Sequence, residues 1–335
     1  MAAASGSGFL MQTHTIRPIC FAPMEGLTDH LYRQAHHACF QGVSRYFIPF
    51  ISPTEHRVFT PREFASVSPK NNEGLNAVPQ ILCKNPDYFV WAAGALQDLG
   101  YEEVNLNIGC PSGTVTAKGK GSGMLRSPDT LALFLDEIFA RSPIPVSIKT
   151  RIGFESPEEW PALLSVLSRY PAKEIIIHPR TRRQFYAGET YRETLDAAFE
   201  MLRCPIVLNG DLFTPEEITA MVERYPQTSG LMLGRGLVAN PALAQEWLGG
   251  EKLTHESLRH FHDVLYDSYA AQGPGDLALR RLRMMMSWTS ACFEEPAKPL
   301  KAIQKSRTNE GYRDAAQRLF DEHALVEKPY YSLCP

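Results

Sequence analysis

An α/β fold is the class this 335-residue sequence predicts: a (β/α)8 or TIM barrel followed by a C-terminal helical bundle. Three observations predict it. Eight short apolar runs, each the length of a buried strand, alternate with amphipathic segments over about 235 residues. Every run ends in polar or reactive residues, as expected where the C-terminal ends of barrel strands converge on one mouth. After about residue 250 the strand runs stop and only helical patterns follow. A doubly wound open sheet is the alternative arrangement.

Residues 1–14 begin MAAASGSGF, with no charged n-region and no long apolar stretch, and read as a disordered leader rather than a signal peptide. The strand runs follow: ICFAPMEG (19–26), SRYFIPFIS (44–52), AVPQILCK (77–84), EVNLNIGC (103–110), PVSIKTRIG (145–153), EIIIHPR (174–180), PIVLNGD (205–211) and GLMLGRG (230–236). Helices are expected at 85–100, 127–142, 156–170 and 214–225. Several open on Ser or Thr, then Pro, then acids. The hydroxyl caps free N–H groups, Pro needs no N–H at the first position, and the acids oppose the positive helix end. The barrel is assigned to 15–248. GGEKL (249–253) marks the junction, and 249–335 forms the helical domain, with helices expected at 255–272, 275–293, 297–306 and 311–323.

Composition excludes some functions. With 44% hydrophobic and 21% charged residues the chain can bury a sizeable core. No run approaches the roughly 18 apolar residues of a membrane span, so no membrane partner is expected. The seven cysteines are scattered and form no CxxC pair, which argues against a disulfide framework or a metal site and for reduced thiols in a cytoplasm. A net charge of −3 gives no global nucleic-acid signature, so a basic patch has to be sought segment by segment.

At the predicted mouth stand Met24 and Glu25, Gln80, Asn107 and Cys110, Lys149 and Arg151, His178 and Arg180, then Asn209–Asp211 and Gly234–Gly236. The NGD and GRG segments follow strands seven and eight, where such barrels often hold a phosphate. Their glycines let backbone N–H groups approach it, and Arg235 adds a guanidinium. Lys149, aimed inward, needs an anionic partner; the N1–O2 edge of a reduced flavin is one candidate, a surface-snorkelling lysine the bland alternative. His178 is a satisfied buried histidine or a donor to a ring carbonyl. Gln80 offers donor and acceptor together. Cys110 precedes a polar loop, PSGTVTAKGKGSGML, expected to be mobile; Lys118 and Lys120 in it suit phosphates. A lone cysteine is usually an inert small hydrophobe, but a thiol facing a reduced flavin can deliver a proton as hydride arrives at a neighbouring carbon.

APMEGLTD, VPQI, NLNIGCP, AKGKGSGML, SIKTR, HPRTRRQFY, LNGD and LGRG, running from 22 to about 245, resemble the tRNA-dihydrouridine synthases, flavin enzymes that reduce uridine in tRNA; the NxGCP element with its lysine–glycine loop is the specific part. The resemblance implies FMN as cofactor, NADPH as reductant and tRNA as partner. It implies that Cys110 protonates C5 of uracil. It implies that Lys149, Gln80, His178 and the Pro23–Met24 backbone hold the isoalloxazine, that Asn209, Gly210, Asp211, Gly234 and Arg235 bracket the phosphate, and that Asn107, Arg151 and Tyr186 meet the target base. Pro179 stands where the family more often has glycine, which restricts the backbone before Arg180.

From 280 to 307 basic residues (Arg280, Arg281, Arg283, Lys298, Lys301, Lys305, Arg307) outnumber Glu294 and Glu295. Lys298, Lys301 and Lys305 share one helical face. An RNA-backbone cradle is the functional reading, extended by Arg182 and Arg183; a solvated helix face is the bland one. A cytoplasmic monomer is expected. Three other functions stay open: an FMN barrel acting on a free pyrimidine or other small molecule, a Schiff-base aldolase using Lys149, and a silent RNA-binding protein.

Overall fold

In the computed structural model residues 16–272 and 276–326 are described; the leader expected at 1–14, and Cys334, lie outside them. Eight parallel strands close into a barrel in chain order: β1 (Ile19–Phe21), β2 (Val43–Ile51), β3 (Ala77–Ile81), β4 (Val104–Ile108), β5 (Val146–Gly153), β6 (Ile175–Thr181), β7 (Ile206–Asn209) and β8 (Gly230–Leu233). β8 pairs back onto β1 through Leu231–Ile19 and Leu233–Phe21, so the sheet has no edge and the open-sheet alternative falls.

Between the strands run α1 (His30–Cys39), α2 (Pro61–Val67), α3 (Pro86–Asp98), α4 (Gly113–Thr116), α5 (Pro128–Arg141), α6 (Trp160–Leu167), α7 (Thr194–Met201) and α8 (Pro215–Arg224). The start signals act as expected. Ser127 caps α5 ahead of Pro128, and Thr214 with Glu217 forms a capping box around Pro215 at α8. The segment 156–170 opens as a 3-10 turn before α6 takes over at Trp160, with a second proline, Pro161, at the new start.

Strand alternation sorts side chains into two layers. Leu106, Ile148, Ile177 and Leu208 point outward into the large cluster under the helices. Cys20, Phe47, Val78, Ile176, Val207 and Met232 fill the barrel interior. On β3 to β5 the inward positions turn polar: Gln80, Asn105, Asn107, Ser147 and Lys149.

Two short helices, α9 (Arg235–Ala239) and α10 (Leu243–Trp247), close the barrel. Then come α11 (His255–Ala270), α12 (Asp276–Thr289), α13 (Ala297–Lys305) and α14 (Asn309–Glu322). The hydrophobic cluster continues from the barrel's outer layer into them. Phe261 of α11 meets Tyr32 and Phe40 of the α1 region edge-on at 5.5 and 5.4 Å. Tyr269 donates to Asp29 at 3.0 Å. Among the described residues no helix is long and apolar enough to cross a membrane.

Candidate active site at the barrel mouth

A cavity of about 500 Å³ opens at the C-terminal ends of the strands. Pro23 and Met24 after β1, Gln80 on β3, Asn107 on β4 and Cys110 beyond it all line it. So do Lys149 and Arg151 on β5, His178 on β6 and Tyr186 beyond it, Asn209 with Gly210 and Asp211 at β7, and Gly234 with Arg235 at β8. The strand-end residues converge because the barrel staggers parallel strands toward one rim, as their spacing predicted.

Beneath the cavity runs a one-directional hydrogen-bond column. Cys110 N and Gly109 N donate to Asn107 Oδ1 at 2.9 and 3.1 Å. Asn107 Nδ2 donates to Gln80 Oε1 at 2.7 Å, and Gln80 Nε2 to Asn105 Oδ1 at 2.8 Å. Asn105 Nδ2 donates to Ser147 Oγ at 2.9 Å, and Ser147 Oγ to Glu103 Oε1 at 2.7 Å. Glu103 is anchored by Lys173 at 2.6 Å. Every amide orientation follows from its neighbour, because a carboxylate at the bottom can only accept.

Cations dominate the upper wall. Lys149 Nζ donates to the neutral Asn209 Oδ1 at 2.8 Å, and among the described residues no carboxylate lies within ion-pair distance of it. Burial, then the charge of Arg151, pulls its ammonium down to about 7. Burial first, then Arg151, Lys149, Arg180 and Arg235, hold His178 far below its usual range, so it is neutral. Arg180 Nη1 lies 3.3 Å from His178 Nε2; a guanidinium only donates, which leaves the ring proton on Nδ1. The Asp211 carboxylate is shared by Arg180, at 2.5 Å, and Arg235. Glu25, the other carboxylate lining the cavity, pairs with Arg62 at 2.6 Å.

Arg180 is thus fixed at the Asp211 pair, 2% exposed. Pro179 fits β6 because the β5–β6 register shifts between Arg151 and Gly153, a break in the ladder where a residue without an N–H is tolerated. Met24 departs from expectation. Its N–H goes to Thr28 Oγ1 at 2.9 Å, and its carbonyl accepts from Leu27 and Thr28, both at 3.0 Å. With both lone pairs taken, Met24 has no free backbone carbonyl to offer the cavity that it and Pro23 line.

The loop after Cys110 is not the mobile segment expected. It folds as α4 and a 3-10 turn, Gly121–Arg126, of which Gly121 to Leu125 are buried. Gly121 has φ +57°, and a Cβ there would lie 2.9 Å from Cys110 O; the glycine is a close approach, not a hinge. Ser122 donates to Cys110 O through N at 3.1 Å and Oγ at 2.8 Å. Burial pushes the half-buried Cys110 thiol up, partly offset by a backbone hydrogen bond at Ser112 and by Arg151 and Lys149. Lys118 is exposed and Lys120 binds Ser52 Oγ at 2.8 Å; neither lines the cavity.

Arg280, Lys298, Lys301 and Lys305 are exposed. Arg281 and Arg283 leave the expected basic face: Arg281 is buried 3.6 Å from Asp29, and Arg283 donates to the Ser306 carbonyl at 2.9 Å. A charge count along the sequence cannot separate solvated cations from those that dock a helix. Sequence reasoning missed Phe50, Phe185, Met284 and Trp288, all lining the cavity. Met284 and Trp288 are spaced i, i+4 on α12, which marks one helix face but not what that face meets.

Among solved structures, morphinone reductase is similar in fold, with a TM-score of 0.53 over 73% of this chain and 88% of that one at 12% identity. The tRNA-dihydrouridine synthase B of Pasteurella multocida is 29% identical over 226 residues, 67% of this chain and 67% of that protein. The tRNA-dihydrouridine(16) synthase of Pseudomonas putida is 28% identical over 258 residues, 74% of this chain and 78% of that protein. A family model described as Dihydrouridine synthase (Dus) matches residues 20–323, from the first strand of the barrel through α14, and the chain belongs to that family.

Proposed function

We propose that this protein reduces a uridine of tRNA to 5,6-dihydrouridine, with NADPH as reductant, FMN as the bound carrier and Cys110 as proton donor. The observation that carries this is the meeting, in one cavity, of the half-buried Cys110 thiol with a buried lysine that has no carboxylate within ion-pair distance among the described residues.

The residues fit FMN. Lys149 stands ready for a group that becomes negative on reduction. Neutral His178 offers its Nδ1–H, Gln80 keeps one N–H and one lone pair beyond its column bonds, and the Pro23 carbonyl accepts. Asn209, Gly210, Gly234 and Arg235 suit the phosphate, with Asp211 aiming Arg235 rather than touching the anion itself. When bound, the flavin supplies the hydride. The rest is done by this chain: Cys110 gives a proton to uracil C5, its backbone held by Asn107 and Ser122, while Asn107, Arg151 and Tyr186 orient the base. The exposed face of Lys298, Lys301 and Lys305, with Arg280, suits the RNA backbone, which helps offset the few kcal/mol that removing a base from its stack costs.

The test uses FMN-loaded protein, NADPH and tRNA that carries no dihydrouridine. A two-hydrogen mass gain at a defined uridine is expected. No gain in tRNA overturns the proposal, and a gain on free uridine alone would move the substrate to small pyrimidines.

A further inference from the structure

Between β6 and α7 the cavity rim carries Phe185, which has no part in the roles above. Phe185 is 42% exposed and has φ +54°, a left-handed conformation that bulky side chains avoid. Burial does not account for it, and looseness does not either, because its loop is braced. Phe185 N donates to Arg182 O at 3.0 Å. Gln184 Oε1 accepts from Thr181 N at 2.9 Å, and its Nε2 donates to Glu189 O at 2.8 Å. The amides of Arg182 and Arg183 are tied to Gly153 O and Phe154 O, both at 2.9 Å.

Guanidinium groups pack against rings behind this rim. Arg126 lies 4.0 Å from the Phe154 centroid, and Arg182 lies 5.3 Å from that ring and 5.5 Å from Phe185. Arg182 Nε also donates to Pro111 O at 3.2 Å, which sets this row beside the residue that follows Cys110. Phe185 and Tyr186 both line the cavity. A rigid, exposed ring with a guanidinium against it, next to the entrance for one base, matches a single strand whose bases have lost their stacking partners.

We propose that Phe185 and Arg182 form a stacking subsite for the nucleobase next to the target uridine; this rests on the proposed tRNA activity. Extruding a uridine into the cavity unstacks its neighbour. Phe185 offers that neighbour a ring face, and Arg182 offers the intervening phosphate a cation. Stacking of this kind tolerates any base, so the subsite grips the strand without choosing its sequence.

The test uses the tRNA arm in which the two-hydrogen gain is found, made as an RNA hairpin with an intact or an abasic residue on each side of the uridine in turn. Phe185→Gly is the main variant, since glycine accepts φ +54° freely and the fold is kept; Phe185→Trp is the conservative one. Fluorescence anisotropy of the intact hairpin is expected to show on the order of tenfold weaker binding for Phe185→Gly and none for Phe185→Trp. One of the abasic hairpins is expected to bind the wild type as weakly as the intact hairpin binds Phe185→Gly, with no further loss when both changes combine. Unchanged affinity in Phe185→Gly, or an equal loss on intact and abasic hairpins, overturns the subsite while leaving the activity standing. A wild-type protein that reduces no uridine in tRNA overturns the activity and the subsite together.

Discussion

Asn107 and Cys110 are locked together: Asn107 Oδ1 accepts the Cys110 amide at 2.9 Å while Asn107 Nδ2 donates to Gln80 at 2.7 Å. One side chain thereby sets both the thiol's backbone and the orientation of Gln80. Asn107→Asp keeps the first bond and sets two acceptors against each other in the second. The Gln80 amide must then turn, which breaks its bond to Asn105. A loss of about 1–3 kcal/mol of stability is expected, with turnover on tRNA falling at least about tenfold. Urea denaturation and single-turnover mass analysis check the two together. Full turnover in a destabilised Asn107→Asp protein would separate the column from catalysis.

The acid is tested by pH. Only the protonated thiol can donate, and burial raises its pKa above the ordinary cysteine value. The acid form is therefore complete through neutral pH and is lost as pH climbs past the raised value, so the rate on tRNA should fall only on the alkaline side. Cys110→Ala is expected to lose about 10²–10⁴ in turnover while NADPH still reduces the bound flavin. Turnover within tenfold of the wild type would remove the thiol from proton delivery.

The barrel was legible because its signals are local. Strand length, cap chemistry and polar strand ends each reflect a run of a few residues, and the column residues Asn105 and Asn107 stand two apart on β4 as inward positions must. What was not legible depends on contacts made far along the chain. The glycines of AKGKGSGML read as freedom, yet Gly121 is there because Cys110 O leaves no room for a Cβ. Arg281 reads as a surface cation until Asp29 is seen beside it. Phe185 sits inside the HPRTRRQFY element, but nothing in that element marks its left-handed backbone, which shows only in the folded loop braced by Gln184.

Lys149 makes stability depend on pH. Its folded-state pKa is lowered from 10.5 to about 7, so between those values the unfolded chain binds the extra proton. Unfolding free energy then rises with pH across that window. Flavin-free protein should gain stability between about pH 7 and pH 9. Lys149→Met should be more stable than the wild type at pH 7 and should lose that part of the slope, while binding FMN more weakly. Matched urea titrations of the two proteins at both pH values read the difference; parallel curves would mean that Lys149 is not desolvated as the geometry requires.

The helical face is separable from the chemistry. Lys298→Glu with Lys301→Glu reverses two exposed charges on α13. Affinity for tRNA should fall by about tenfold or more and the salt dependence of binding should flatten, while NADPH oxidation by oxygen continues. Equal loss of both activities would indicate a misfolded helix rather than a lost RNA contact.

Two glycines in one loop give the sharpest contrast. At Gly121 an added Cβ would meet Cys110 O and Val115 Cγ1, each at 2.9 Å, on a backbone with φ +57°. The Cys110 carbonyl cannot give way cheaply, because Ser122 also holds it. Gly121→Ala should therefore shift Cys110, cost about 1–3 kcal/mol of stability and lower turnover by about tenfold or more. Its tRNA affinity should hold, since the lysines of α13 are untouched. At Gly113, in α4, a Cβ meets nothing within 4 Å, so Gly113→Ala should match the wild type in both turnover and affinity. If Gly121→Ala also keeps full turnover, the thiol does not depend on the close approach at Gly121, and the bonds of Asn107 and Ser122 suffice to position Cys110.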